Sequence, residues 1–170
     1  MDKTSFAGKA TALSAVAVLT LLDQITKILA ADRLADGPFV LIPGVFELRY
    51  LENRGAAFGM LQNQRVFFLV LTIVFLAVIT YIYLKIPADR KYLPLRILAI
   101  VVTAGAVGNF IDRLILVYVR DFLYFSLIDF PIFNVADIYV TVSAFVFFVL
   151  ILAYYKDSDL EFLSEKKDNK

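Results

Sequence analysis

The chain has no cysteine and no histidine in its 170 residues. The first absence excludes disulfides, thiol nucleophiles and cysteine-ligated zinc. The second excludes every mechanism that uses imidazole as its base. Carboxylates, lysine and hydroxyls are left to carry any chemistry. Charge is also scarce: 19% of residues are charged, and the net charge is +1. There is no basic field to attract nucleic acid, so no nucleic-acid partner is expected. Apolar residues make up 61% of the chain, and the mean hydropathy is +0.77. Soluble domains are roughly half apolar and a quarter charged, so the excess here must face lipid. The length suits one domain, and 1–170 is read as a single integral-membrane domain.

Crossing about 30 Å of hydrocarbon takes roughly 20 apolar residues in a helix. Segments 66–84 and 138–155 carry no charge at all. A third span reaches 95–116 if Asp112 and Arg113 face protein. The first runs over 10–31 and contains Asp23, Gln24 and Lys27. A signal peptide is the alternative for this first segment, but Asp23 and Lys27 interrupt the stretch where such a leader is clean. The expectation is an all-α membrane protein of four transmembrane helices, at about 10–31, 66–84, 95–116 and 136–155. A charged cytoplasmic tail over 156–170, expected to fray, follows the last span.

Lysine sets the orientation. Lys3 and Lys9 precede span one, Lys85 and Lys91 lie between spans two and three, and Lys156, Lys166, Lys167 and Lys170 follow span four. The connections 32–65 and 112–133 contain arginine but no lysine. Both termini are therefore expected in the cytoplasm and both of these connections outside. In the first of them, Phe46, Leu48 and Tyr50 alternate with Glu47 and Arg49. That period of two predicts a short strand, giving a small extracytoplasmic β-containing connection between spans one and two.

Ionisable groups within spans are costly and mark function by default. Asp23 and Lys27 are four apart on one helix face, and a buried ion pair and a substrate contact are both open readings. Asn53, Arg54 and Gly55, with 56–59, form a glycine-bearing turn after the strand. Gly108, Asn109, Asp112 and Arg113 close span three, the last three on one face. Asp121 follows in the outer connection. Asn134, Ala136 and Asp137 open span four, where Asp137 suits a helix start.

Without imidazole or thiol, two peptidase designs remain. A serine with a lysine base would need Lys27 beside Ser14 or Ser143, and neither is well placed. A carboxylate pair sharing one proton is the other. Asp112, Asp121, Asp129 and Asp137 are its candidates, and spacing does not choose among them. A reading from another class is a transporter or ion-conducting subunit with the acids as a proton path. The chain shows no internal repeat, however, and its acids gather at one end.

With five motifs in order, the chain resembles the lipoprotein signal peptidases, or signal peptidase II. They are Asp23-Gln24-Ile25-Thr26-Lys27, Asn53-Arg54-Gly55-Ala56-Ala57-Phe58-Gly59, Gly108-Asn109-Phe110-Ile111-Asp112-Arg113, Val119-Arg120-Asp121-Phe122 and Phe133-Asn134-Val135-Ala136-Asp137. The resemblance implies an aspartic dyad of Asp121 and Asp137. It maps Asp23, Lys27, Asn53, Asn109, Asp112, Arg113 and Asn134 onto supporting polar residues. Arg54, Gly55, Gly108 and Ala136 stand beside them in the same motifs. It implies no metal and no cofactor. It further implies a monomer in the bacterial cytoplasmic (inner) membrane, with its site near the outer face among membrane lipids. The substrates would be prolipoproteins whose cysteine carries diacylglycerol, cut just before that cysteine. Arg120 departs from the family, where a small apolar residue is usual, and is expected to point to water.

Overall fold

The computed structural model describes residues 6–55 and 60–163. Lys3, motif positions 56–59, and Lys166, Lys167 and Lys170 lie outside the described residues. Among the described residues, four helices are long and apolar enough to cross a membrane: Ala7–Arg33, Arg65–Lys85, Arg90–Leu116 and Val135–Ala153. We call the helices α1 (Phe6–Arg33), α2 (Arg65–Lys85), α3 (Leu93–Leu116) and α4 (Val135–Ala153). The strands are β1 (Phe39–Ile42), β2 (Phe46–Asn53) and β3 (Val119–Tyr124).

α3 is the hub, packed against each of the other three helices. Its buried positions are mostly small: Ala99, Ala104, Gly105 and Gly108. Small residues let membrane helices approach closely, where dispersion and hydrogen bonds replace the missing hydrophobic drive. A Cβ on Gly105 would lie 2.9 Å from Val140 Cγ2 and would also meet the Ala136 carbonyl, so α4 passes directly over this glycine. α2, by contrast, has no buried residue and presents its apolar surface outward.

The largest fully buried side chains are all polar: Lys27, Asn134, Asp23, Asp112 and Asp121. Lipid inverts the usual arrangement. Apolar residues can face outward, and polar groups must find partners inside.

The strand expected after residue 45 is present as β2, and it is the middle strand of an antiparallel sheet of order β1-β2-β3. The third strand comes from the connection between α3 and α4 and was not foreseen. Val117 ends α3 at φ 75°, an unusual conformation for a β-branched residue, and β3 begins two residues later. Ala30, Leu34 and Phe122 seat the sheet on the end of α1, with Leu48, Tyr50 and Val135 around them.

At the opposite end, residues 156–163 correct the expectation of a fraying tail, while 164–170 lie outside the described residues. Leu160 and Phe162 pack on the cluster of Ile86, Leu95 and Tyr155. Asp159 pairs with Lys91 at 2.5 Å, and Tyr92 Oη donates to the Asp159 carbonyl at 3.0 Å. Apolar residues hidden among the tail's charges hold it through residue 163.

Candidate active site

Asp23 and Lys27 form the expected ion pair at 2.9 Å, fully buried, with the i to i+4 spacing of one helix face. Asp23 also ties helices together. Its Oδ1 accepts the Ala136 N–H at 2.9 Å, holding the start of α4 against α1. Its Oδ2 lies too close to Gly108 to leave room for a Cβ there, which explains the glycine on α3.

Lys27 Nζ reaches two further groups on α3, Asp112 at 3.5 Å and Asn109 Oδ1 at 2.8 Å. Asp112 does not take its chain neighbour Arg113 as its cation. Its principal partner is Arg120, at 2.6 Å. The Arg120 backbone N–H also donates to Asp112 Oδ2 at 3.0 Å, and its Nη2 donates to Gln24 Oε1 at 2.8 Å. Arg120 therefore does not point to water. Side chains alternate along a strand, so Arg120 and Asp121 leave β3 on opposite faces. One turns to the ion cluster and the other away from it. Asp23 and Asp112 are thus balanced by Lys27 and Arg120. Gln24 closes the group by donating to Asp112 Oδ1 at 3.1 Å and to the Gly108 carbonyl at 3.0 Å.

Two asparagines join this cluster to the acids of β3 and α4. Asn109 accepts from Lys27 and donates to Asp137 Oδ1 at 2.8 Å. Asn134 donates to Asp121 Oδ1 at 2.6 Å and to Asn109 Oδ1 at 3.2 Å. Asn134 and Asp137 also form a capping box, each side chain accepting the other's backbone N–H at 3.1 Å. The cap satisfies N–H groups at the helix start and fixes both side chains.

Asp121 lies opposite Leu51 in the β2-β3 register, so Asn53 is its diagonal neighbour on the same face. Asn53 Nδ2 donates to Asp121 Oδ2 at 2.8 Å, while Asn53 Oδ1 accepts the Gly55 N–H at 3.0 Å. Burial, and then the charge of Asp137, push the Asp121 carboxyl up to about 7; the donors Asn53 and Asn134 and the Lys27 charge pull the other way.

Asp121 and Asp137 line one cavity of about 420 Å³ with Asn53, Gly55, Asn109 and Arg113. Arg113 Nη2 donates to the Gly55 carbonyl at 3.2 Å, and its guanidinium lies 4.6 Å from the Phe68 ring centroid. Much of the remaining lining is apolar: Phe130, Pro131, Ile132, Phe133, Ile138 and Val142.

Of the four candidate acids, the structure brings Asp121 and Asp137 to this cavity and places Asp112 in the ion cluster behind it. Asp129 is exposed and accepts from Tyr124 Oη at 2.5 Å, outside the lining. Arg54 also stays outside, paired with Glu52 at 3.0 Å and 5.5 Å from the Tyr118 ring. Among the described residues Lys27 meets no serine. Ser143 faces a separate apolar cavity between α2, α3 and α4, and Ser14 is exposed. Sequence reasoning missed Arg65, which caps the end of α3 by donating to the carbonyls of Arg113 and Leu114 at 2.8 and 2.6 Å. Four uncapped carbonyls end every helix, and a cation at the start of the antiparallel span before it, α2, is the signal that points to this.

A family model described as "Signal peptidase (SPase) II" matches residues 15–153. A "Lipoprotein signal peptidase" of Caldanaerobacter subterraneus subsp. tengcongensis is 43% identical over 143 residues, covering 83% of this chain and 95% of that protein. One of Streptococcus pyogenes serotype M5 is 40% identical over 145 residues, covering 84% and 91%. A structure titled as a bacterial membrane enzyme solved by the in meso method at 1.9 Å resolution superposes with a TM-score of 0.75 at 31% identity, covering 91% of this chain and 99% of that one. Another such enzyme, at 2.3 Å, gives 0.73 at 30% identity, covering 100% and 98%.

Proposed function

The chain belongs to the signal peptidase II family, and from that premise we propose that Asp121 and Asp137 are the catalytic pair of an intramembrane aspartic peptidase. It removes signal peptides from prolipoproteins whose cysteine carries diacylglycerol, cutting before that cysteine. The observation that carries the pair is that both carboxyl groups line one cavity and are joined to the same asparagine link, Asn109 and Asn134.

Two acids in a poorly solvated site share a proton, because both cannot ionise cheaply. The ionised member takes a proton from water as the water attacks the scissile carbonyl. The protonated member donates to the carbonyl oxygen. Collapse of the tetrahedral intermediate then passes a proton to the leaving nitrogen. Asn53, Asn109 and Asn134 hold the two carboxyl groups in place, so little reorganisation is needed. The apolar wall from Phe130 to Phe133 suits a lipid-bearing side chain. Such a chain leaves the bilayer at a cost of about 0.8 kcal/mol per methylene, so the enzyme must meet its bond at the membrane.

The site lies at the end of the bundle remote from Lys85 and Lys91. By the lysine bias that end faces outward and the termini are cytoplasmic. We propose a monomer as the working unit. The family match displaces the proton-path reading.

Asp121→Asn and Asp137→Asn should each abolish cleavage of a lipidated peptide in detergent while leaving thermal stability near wild type. The double variant should be scarcely worse, because residues acting as a unit are not additive. Asp129→Asn should keep near-full activity, and chelators should leave the wild type active. An active Asp121→Asn protein, or loss on chelation, would overturn the aspartic mechanism.

A further inference from the structure

Arg120 stands next to Asp121 on β3, and its side chain is 11% exposed. It holds Asp112 by two prongs, Nη2 on Oδ1 at 2.6 Å and Nε on Oδ2 at 3.3 Å, with its backbone N–H on Oδ2 as well. Lys27 Nζ then lies 2.9 Å from Asp23 but 3.5 Å from Asp112, and it donates to Asn109 Oδ1 at 2.8 Å. An amide whose oxygen accepts from a lysine turns its nitrogen the other way. Asn109 Nδ2 accordingly meets Asp137 Oδ1, and the same Asn109 oxygen accepts from Asn134, whose nitrogen also donates to Asp121. Both acids of the cavity thus depend on an amide that Lys27 orients.

The charged and titratable groups around this arrangement come from five elements. α1 supplies Asp23 and Lys27, α3 supplies Asp112 and Arg113, and α4 supplies Asp137. From α2, Arg65 bonds carbonyls at the end of α3. On β2, Glu52 stands opposite Arg120 in the register but pairs with Arg54, and Tyr50 bonds Tyr118. Within the cluster, Asp23 and Asp112 are matched by Lys27 and Arg120. Without Arg120, two buried carboxylates would share one lysine. The cluster would carry a net negative charge, and Lys27 would be drawn from Asn109 toward Asp112. Each change disfavours the ionised form of the acids beyond Asn109. We propose that Arg120 is a positioning residue of the peptidase site. By holding Asp112 it keeps the cluster neutral and leaves Lys27 on Asn109, and so it sets the pH at which Asp121 and Asp137 lose their shared proton. The inference rests on the aspartic reading of that pair.

The test is the pH profile of kcat/KM for a lipidated peptide, measured in detergent below the thermal midpoint of each variant. Arg120→Val should move the alkaline limb up by roughly half to one pH unit, the order expected of one unbalanced charge beyond direct contact in a partly buried site. Arg120→Lys keeps the charge and should hold the limb near its wild-type position. Asp112→Asn leaves one surplus positive charge and should move the limb down, a reading that needs no Arg120 variant to fold. Arg120→Val combined with Asp112→Asn should return the limb toward wild type, although the guanidinium is still missing. Glu52→Gln alters a charge at the same register outside the cluster and should leave the limb in place. An unmoved limb in Arg120→Val, whatever its rate, would make Arg120 purely structural and overturn the proposal. So would an upward or absent shift in Asp112→Asn, a double variant that stays displaced, or a Glu52→Gln shift as large as that of Arg120→Val. The peptidase reading falls by a separate result, an active Asp121→Asn protein, so the two failures are distinguishable.

Discussion

Asp121 receives a donor on each carboxylate oxygen, Asn134 on one and Asn53 on the other, and both favour its ionised form against burial. A carboxylate pair works with one proton between its members. With Asp121 pushed up to about 7, kcat/KM should fall as pH rises through that value, because the pair then loses its proton. Asn53→Ala removes a donor that stabilises the ionised form, so this alkaline limb should move to higher pH. A limb that stays put, or moves down, would show that Asn53 does not tune Asp121. Arg120 acts on the other face of the same strand. Arg120→Val leaves the buried Asp112 with only a share of Lys27, and uncovering a buried charge costs about 3–5 kcal/mol. Combining it with Asp112→Asn removes one charge of each sign and should restore most of the thermal stability in detergent. A double variant as unstable as the single one would mean that Arg120 supplies something other than charge balance.

At the scale of elements, the site depends on how closely α3 lies to its neighbours. Asp23 reaches the start of α4 past Gly108, and α4 crosses α3 at Gly105. Both glycines are therefore needed for close approach rather than for unusual backbone angles. Gly105→Ala would press a methyl group onto the Ala136 carbonyl, next to Asp137, and α4 would have to shift. Overpacking of this kind costs about 1–3 kcal/mol. We expect a lower thermal midpoint and a larger loss of activity than stability alone explains, since the capping box moves with α4. A Gly105→Ala protein with wild-type midpoint and rate would show that α4 is not held at this crossing. The sheet contributes in a different way. β3 sits against β2 so that Asn53 and Asp121 share a face, and the register shift between Leu48 and Leu51 adjusts this pairing.

At the scale of the whole molecule, polar groups converge at one end of the bundle and paired tail contacts close the other. The polar end carries the sheet and the acid-lined cavity; the other carries Lys85, Lys91 and the 155–163 segment folded onto Tyr92 and Leu95. Reporter fusions after Lys91 and after Lys156 should read cytoplasmic, and a fusion at Pro38 should read external. A cytoplasmic signal at Pro38 would place the cavity on the wrong side for a lipoprotein still anchored in the outer leaflet.

Much of this was legible before any coordinates. Hydropathy sets four helices because a helix must satisfy its own backbone in lipid. The missing histidine and cysteine restrict the chemistry to carboxylates, lysine and hydroxyls. Asp23, Lys27, Asn109, Asp112, Asn134 and Asp137 stand out because polar groups inside spans are costly to keep. The i to i+4 spacing of Asp23 and Lys27 foretold their pairing, since neighbours on one helix face are local. Tertiary structure decided which groups meet across elements. Asp129 and Asp121 look alike in sequence, yet one bonds Tyr124 at the surface and the other is turned inward by β3. The sequence 119–124 reads as a strand only once β2 is there to pair with it, because strand preference is largely a response to neighbours. The partner of Asp112 proved to be Arg120 rather than the adjacent Arg113, because the turn at Val117 folds the chain back on α3. Local spacing limits which residues can share a face, but register and packing between distant segments determine which faces touch.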